Sequence, residues 1–258
     1  MNIYVLLKQI PVISDIKINN QTFTVDRSNA ANMTNPSDLN ALEAALTLKG
    51  SCGGTVTVVT MGNESSDTQL RETAAMGADR FVRITDSAFG NADTLVTSKI
   101  LAAAIRHLGD ADVVFCGQFS LDSATGQIGG KLASLLGYGL LHSACSVEAI
   151  DQTLSIRRKA GTGYEVWQAP LPVVCSVEEG CNKPRSVTLK GKMAAKKAVI
   201  EVLTNNELQL SAEDLVSPST VEALFPIQKQ STQVRIQGKE EADAARKLAD
   251  ILFGKILA

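Results

Sequence analysis

One run constrains the chain more than any other: Asp112 to Gly137, Asp-Val-Val-Phe-Cys-Gly-Gln-Phe-Ser-Leu-Asp-Ser-Ala-Thr-Gly-Gln-Ile-Gly-Gly-Lys-Leu-Ala-Ser-Leu-Leu-Gly. Val113–Cys116 is short and apolar throughout, as expected of a strand covered on both faces. Gly117–Thr125 is a loop of small and hydroxylated residues, and Gly126–Leu136 takes on helical spacing with Ile128, Leu132, Leu135 and Leu136 on one side. A strand, a small-residue loop and a helix N-terminus together make an anion site, because free backbone N–H groups and the positive end of the helix dipole point the same way. We read the run as a cradle for a nucleotide phosphate. The alternative is an ordinary strand-to-helix turn of an α/β domain.

The chain before this run alternates strand and helix. Ile3–Leu7 is an apolar strand ending at Lys8, with Pro11 closing a turn. A small hairpin is expected over Ile18–Val25. Asn35-Pro36-Ser37-Asp38 opens a helix, with Asn35 as N-cap, Pro36 at the first position and Asp38 in the first turn. Its stripe of Leu39, Leu42, Ala45, Leu46 and Leu48 runs to Lys49, and Gly50–Gly54 is expected to stop it. Thr55–Met61 is a strand, Asp67–Met76 a helix with Gly77 as C-cap, Phe81–Ile84 a strand, and Thr94–Leu108 a helix capped by Asp93. That order argues for a Rossmann-like α/β fold: a parallel sheet with helices on both faces. Ligands of such sheets sit at the carboxyl ends of the strands, so the loops after Leu7, Met61 and Cys116 are candidates to share one site.

Beyond Gly137 the pattern changes. Val147–Ile150, Thr153–Arg158 and Tyr164–Gln168 predict a small antiparallel extension, and Leu171–Val177 another buried strand. Lys183–Lys197 carries Lys183, Arg185, Lys190, Lys192, Lys196 and Lys197 without an acid. Thr204–Thr232 lacks periodicity, and Lys239–Ile256 predicts an amphipathic helix with Ala242, Ala245, Leu248, Ile251, Leu252 and Ile256 near one face. The chain therefore divides into an α/β nucleotide-binding domain, residues 1–182, and a segment 183–258 made of a basic loop and a C-terminal arm ending in a helix. A helix reached through so long an arm is suited to packing on a partner.

Composition narrows the functional classes. The net charge of −2 gives no support to a general nucleic-acid binder. The five cysteines are odd in number and have no Cys-x-x-Cys spacing, which fits reduced thiols better than a disulfide framework or a zinc site. With no basic-then-apolar leader and no apolar run of membrane-crossing length, the expected location is the cytoplasm. Gly-x-Gly-x-x-Gly, the P-loop and Gly-x-Ser-x-Gly are all missing. The two histidines, His107 and His142, have no evident acid or nucleophile partner and read as structural. Nucleotide-binding features without a reactive set favour a carrier or binding subunit over an enzyme.

Several stretches together resemble the β subunit of electron transfer flavoprotein, over nearly the whole chain. They are Val5-Leu6-Leu7-Lys8-Gln9-Ile10-Pro11; Asn35-Pro36-Ser37-Asp38-Leu39-Asn40-Ala41-Leu42-Glu43-Ala44-Ala45; Val58-Val59-Thr60-Met61-Gly62; and Ala75-Met76-Gly77-Ala78-Asp79-Arg80. Cys116-Gly117 through Gln127-Ile128-Gly129 follows, and then the most specific, Asn182-Lys183-Pro184-Arg185-Ser186-Val187-Thr188-Leu189-Lys190-Gly191-Lys192-Met193-Ala194-Ala195-Lys196-Lys197.

The resemblance implies an electron-carrier subunit with no catalytic residues and no metal. It would pair with an α subunit that holds most of the main FAD, and would exchange electrons with acyl-CoA dehydrogenase-type flavoenzymes. This chain would bind an adenine nucleotide: AMP in simple carriers, a second FAD reduced by NADH in electron-bifurcating members. The implied contacts are Leu6, Asn35, Pro36, Ser37, Asp38, Met61, Phe119, Ser120, Leu121, Asp122, Ser123, Ala124, Thr125, Gly126, Gln127, Ile128, Gly129 and Gly130. The segment Phe89–Ser98, with Asp93, Thr94 and Thr97, resembles the FAD-holding type, and FAD is the expectation. Gln118 stands where bacterial members often have Arg or Lys. The basic stretch resembles the family's recognition loop, with Leu189 as the residue inserted into the dehydrogenase and Lys190, Lys192 and Met193 around it. Two rival readings fit less well: an ATP-pyrophosphatase-type enzyme, which needs a Ser-Gly-Gly-x-Asp-like loop that Lys8-Gln9-Ile10-Pro11 does not supply, and a stand-alone nucleotide-binding module, which leaves the basic loop and arm without a purpose.

Overall fold

The computed structural model describes residues 1–12, 17–19, 24–26, 31–219 and 235–256. Runs of β-branched and apolar residues form β1 (Asn2–Leu7), β6 (Thr55–Met61), β7 (Arg80–Ile84), β8 (Val113–Gly117), β9 (Gly139–Ala144), β13 (Val173–Val177) and β14 (Ile200–Leu203). These make one seven-stranded sheet in the order β14-β7-β6-β1-β8-β13-β9, every pair parallel. The short pairs β2 (Gln9–Pro11) with β5 (Asn32–Thr34), and β3 (Lys17–Asn19) with β4 (Thr24–Asp26), are antiparallel. The second is the hairpin expected over Ile18–Val25, in register Ile18 opposite Val25; the side chains of β3 and β4 lie outside the described residues.

From β1 the chain steps outward to β6 and β7, then returns to place β8 on the other side of β1. The strand order therefore reverses between β1 and β8. In an open α/β sheet that reversal leaves a crevice at the carboxyl ends of the two strands.

Two cores fill the faces. On one, α1 (Pro36–Cys52) and α2 (Asp67–Met76) pack Leu42, Leu46 and Leu70 against Ile3, Val5, Val58 and Phe115. On the other, α3 (Thr94–Leu108) and α4 (Ile128–Leu136) pack Val96, Ile100, Ile105 and Leu132 against Tyr4, Val59, Val82 and Val114. The antiparallel sheet of β10 (Ser146–Ile150), β11 (Thr153–Ala160) and β12 (Gly163–Pro170) joins the first core through Leu154 and Ile156. It matches the expected extension.

Five segments depart from the sequence-based expectation. Helix α1 runs through Gly50 to Cys52 and is ended by Gly53 at φ +73°, because an exposed helical glycine costs only about 1 kcal/mol and nothing else breaks the helix. Strands β9 and β14 carry little alternation, yet each gains an edge position, β9 on β13 and β14 on β7. The basic stretch, expected as a loop, holds an eight-residue helix, α5 (Leu189–Lys196), capped by the Thr188 hydroxyl accepting from the Gly191 amide at 3.0 Å. A one-turn helix, α6 (Asn205–Leu208), follows β14 behind a capping box of Thr204 and Glu207.

The chain separates into two units, Met1–Glu222 and Ala223–Ala258. The second contains α7 (Glu241–Ile256), whose Leu248, Ile251 and Leu252 share one face and are exposed, as is Phe253 beside them. Among the described residues no helix is long and apolar enough to cross a membrane.

Candidate functional site

The N-terminus of α1 lies across the reversal of strand order and joins the ends of β1 and β8. The Asp38 carboxylate accepts from the Lys8 amide at 2.8 Å and the Gly117 amide at 3.0 Å, one on each oxygen. Ser37 Oγ accepts from the Gln118 amide at 2.9 Å and donates to the Val177 carbonyl at 3.3 Å. Asn35, expected as N-cap, makes no capping bond. Its side chain instead donates to the Phe119 carbonyl at 2.9 Å and accepts from the Leu121 amide at 3.2 Å. The residues expected at the site thus include three that build its wall from the loop backbone. All three are buried.

That wall has a distinctive charge. Burial pushes the Asp38 carboxyl up to about 7, against the pull of the Lys8 amide, Asn35, the Gly117 amide and the Lys8 cation. Cys116, directly behind, is pushed up to about 12 by burial and then by Asp38, so its thiol is inert. The close approach of α1 explains Gly117. A Cβ there would come within 2.7 Å of Ser37 Oγ and 2.8 Å of its carbonyl carbon. Gly117→Ala is expected to cost about 1–3 kcal/mol in urea denaturation, the usual range for overpacking against backbone; an unchanged midpoint would show that α1 moves freely here.

The loop after β8 folds on itself. Ser120 and Ser123 hydroxyls lie 2.8 Å apart, and Lys8 Nζ reaches Asp122 at 2.7 Å and Ser120 at 3.3 Å. Burial works against the Asp122 carboxylate, but Lys8 and Ser120 outweigh it and hold it below its ordinary range. Ala124 at φ +52° and Gly126 at φ +62° then turn the chain into α4. Gln127 precedes α4 without a side-chain cap, so the amides of Ile128, Gly129 and Gly130 have no intrahelical acceptor. Gly129 is buried, and Thr125, Gly126, Gln127 and Gly130 are exposed. The result is a helix N-terminus with unclaimed donors at the crevice, the arrangement that takes an anion.

Helix α3 brings its own start to the same mouth. Thr94 Oγ donates to Gln127 Oε1 at 2.9 Å, and Lys131 Nζ donates to Thr94 Oγ at 2.6 Å. Asp93 caps α3 by accepting from the Leu95 and Val96 amides at 2.9 Å and takes a bond from Ser219 at 2.8 Å. The Val96 bond outweighs a modest burial cost, and with the others holds Asp93 below its ordinary range. Thr97 lies one turn into α3, half-buried and without a side-chain hydrogen bond among the described residues. Leu6 is buried in the sheet, and Met61 closes β6, half-buried on the core. Pro36 is the first residue of α1 and half-buried.

Lys8 and Lys131, which the sequence does not place at the candidate site, both stand at this mouth. Each had a signal: a lysine directly after the first strand, and a lysine one turn into the glycine-led helix. Gln118 turns away to bond Ser143 at 3.0 Å; Lys8 is neutralised by Asp122, and Lys131, in no ion pair among the described residues, carries the net positive charge at the mouth. Among the described residues no cluster of His, Cys, Asp or Glu has metal-binding geometry. His142 stands against Arg158 at 2.6 Å and edge-on to Trp167 at 5.6 Å, with burial and then Arg158 holding it below its ordinary value.

The basic stretch is anchored to α1 and α2. Asn40 and Asn182 exchange bonds at 2.8 and 2.9 Å, and Arg185 forms a two-pronged pair with Glu43 at 2.9 Å. Helix α5 then leaves Leu189 78% and Met193 64% exposed, four residues apart on one side. Lys192 is exposed too; the Lys190 side chain lies outside the described residues.

Residues 22–208 match the family model described as the electron transfer flavoprotein domain. The chain is 36% identical over 216 residues to the electron transfer flavoprotein subunit beta of Thermoanaerobacterium thermosaccharolyticum, covering 83% of both chains. It is 36% identical over 244 residues to the subunit beta of Clostridium acetobutylicum, covering 93% of this chain and 91% of that one. A third relative, also 36% identical, is the caffeyl-CoA reductase-Etf complex subunit CarD of Acetobacterium woodii, aligned over 83% of this chain and 82% of that one.

Proposed function

Because the chain belongs to the electron transfer flavoprotein family, among its beta subunits, we propose that it holds an adenine nucleotide at the mouth of β8 and α4, pairs with an alpha subunit, and docks a dehydrogenase through α5. The observation that carries the nucleotide reading is the uncapped start of α4 at the reversal of strand order, flanked by Lys8 and Lys131. The unclaimed amides suit a phosphate, and a flexible cation one turn into the helix suits its remaining charge. Phe119–Gly130 would run along the phosphates and ribose. Asn35, Ser37 and Asp38 would act mainly by fixing that loop, and Met61 and Leu6 by lining it from β6 and β1.

Between FAD and AMP we favour FAD. Thr94 is bonded to Gln127 and Lys131 at the phosphate end, which extends the mouth toward α3 and suits a ligand longer than a mononucleotide. CarD, whose name places it in a reductase complex, is among the relatives. A flavin bound there would supply the redox chemistry itself; the protein supplies position and electrostatics. NADH would be the reductant of such a second flavin, and an acyl-CoA dehydrogenase-type flavoenzyme the electron partner.

Acid extraction of the purified heterodimer, followed by chromatography, tests this directly. Two FAD per heterodimer are expected. One FAD and one AMP would reject FAD here but keep the nucleotide site, and one FAD with nothing else would remove the site. Lys131→Ala should weaken nucleotide retention about 10-fold, as for loss of one charge-assisted bond worth roughly 1.4 kcal/mol. Equilibrium dialysis against the extracted nucleotide would measure it, and unaltered binding would take Lys131 out of the site.

A further inference from the structure

Helix α5 has little of its own to keep it in place. An isolated eight-residue helix is marginal in water, and among the described residues of α5 only Ala195 is buried. Leu189 and Met193 point outward, and a cavity of about 690 Å³ lies between α5 and α2, lined in part by Ala75, Met76, Val187 and Ala195. Hydrophobic packing, limited to Ala195 with Val187 and Ala198 at the two ends, therefore gives the helix only a weak hold.

Two contacts from α2 take its place. Arg71 donates from one terminal nitrogen to the Ala195 carbonyl at 3.0 Å and the Ala198 carbonyl at 3.1 Å, gripping the end of α5 and the turn into β14. A cation on the last carbonyls of a helix is favoured by its dipole as well as by the bonds. At the other end Gly191 lies flat against α2: a Cβ there would run into the Ala75 carbonyl, its carbon at 3.0 Å and its oxygen nearer still. Close backbone approach at one end and a guanidinium grip at the other define a single pose.

We propose that Arg71 is a positioning residue for partner docking: it locks α5 onto α2 so that Leu189 and Met193 are presented to the electron-transfer partner in one preformed arrangement. The inference rests on the docking reading above. Its physical content is preorganisation. A loop ordered before contact does not have to be ordered at contact, so the lock acts on partner affinity and leaves the transfer step alone. Arg71 itself bonds α5 and not the partner, and its effect must pass through the apolar anchors.

The test uses the purified heterodimer with a short-chain acyl-CoA dehydrogenase, kept reduced by butyryl-CoA, as electron donor at varied concentration, and an excess of a redox dye as the terminal acceptor that reoxidises the heterodimer's flavin. Arg71→Ala should raise the KM for the dehydrogenase about 10-fold while kcat and nucleotide content stay within about twofold of wild type, the pattern of lost uniform binding. Arg71→Lys, which keeps the charge but not the reach to both carbonyls, should fall between and serves if the alanine variant folds poorly. In a Leu189→Ala background, Arg71→Ala should add less than about twofold, since the residue it positions is gone. If Leu189→Ala raises KM and neither Arg71 variant does, the lock is overturned while docking stands. An Arg71 effect of equal size with and without Leu189 also overturns the lock, because it would mark general stability. If Leu189→Ala changes nothing, or wild type shows no saturation, the docking reading fails and takes the lock with it.

Discussion

Asp38→Ala should destabilise the α/β unit by about 3–5 kcal/mol and strip it of nucleotide. Among the described residues the carboxylate is the sole side-chain acceptor for the Lys8 and Gly117 amides, and each buried N–H left without a partner costs roughly 1–3 kcal/mol, before any loss of packing. Against a typical domain stability of about 5–15 kcal/mol, that is a large fraction. Urea denaturation measures the loss, and a change under about 1 kcal/mol would mean that water replaces the carboxylate and the clamp is dispensable. Asp38→Asn separates charge from bonding. It keeps one acceptor and turns an NH2 group toward the other amide. Because burial raises the Asp38 carboxyl to about 7, the folded protein keeps a proton that the unfolded chain releases near 3.9. The contribution of that group is therefore complete below about pH 4 and declines as pH rises through 7. Asn does not titrate, so Asp38→Asn should be more damaging at pH 5 than at pH 8. The opposite order would place the carboxyl below its ordinary range.

Removal of residues 239–258 should abolish co-purification with the alpha subunit. A helix at the end of so long an arm suits packing on a partner, and with the alpha subunit as that partner the exposed Leu248, Ile251, Leu252 and Phe253 of α7 are the side chains available for it. With about half of each side chain still open and roughly 2 kcal/mol for full burial, the four could contribute about 4 kcal/mol, close to a 1,000-fold change in affinity. Co-expression and size-exclusion chromatography decide it; a truncated chain that still elutes as a heterodimer would show that the interface lies elsewhere. A point variant, Ile251→Asp, should reproduce most of the loss without shortening the chain, because a carboxylate buried in an apolar contact has no partner.

The lysine-rich stretch shows why some features escape a sequence reading. Lys183–Lys197 reads as a basic loop, because alternating lysine and small residues give no apolar stripe. Its helical form depends on the Thr188 cap and on Arg71 and Ala75 of α2, more than a hundred residues earlier. Asn182 and Arg185 look like parts of a recognition motif and turn out to be tethers to Asn40 and Glu43. Asn35 was expected to cap α1 but holds the loop after β8 instead, since its amide finds both a donor and an acceptor there. Lys131 lies within the Asp112–Gly137 run, and its contact with Thr94 exists only because α3 and α4 begin side by side.

The alternation of the main strands and helices from β1 through α4, the parallel sheet and the location of a crevice after Cys116 follow from residues near in sequence. Buried strands must be apolar throughout, helices must repeat near 3.6 residues, and glycine, proline and capping residues mark the breaks between them. The partners of Asp38, the grip of Arg71 on α5 and the meeting of Thr94 with Lys131 are contacts across some 30 to 127 positions. A polar side chain bonds whatever group the fold carries to it, and no local pattern in the chain encodes which group that will be.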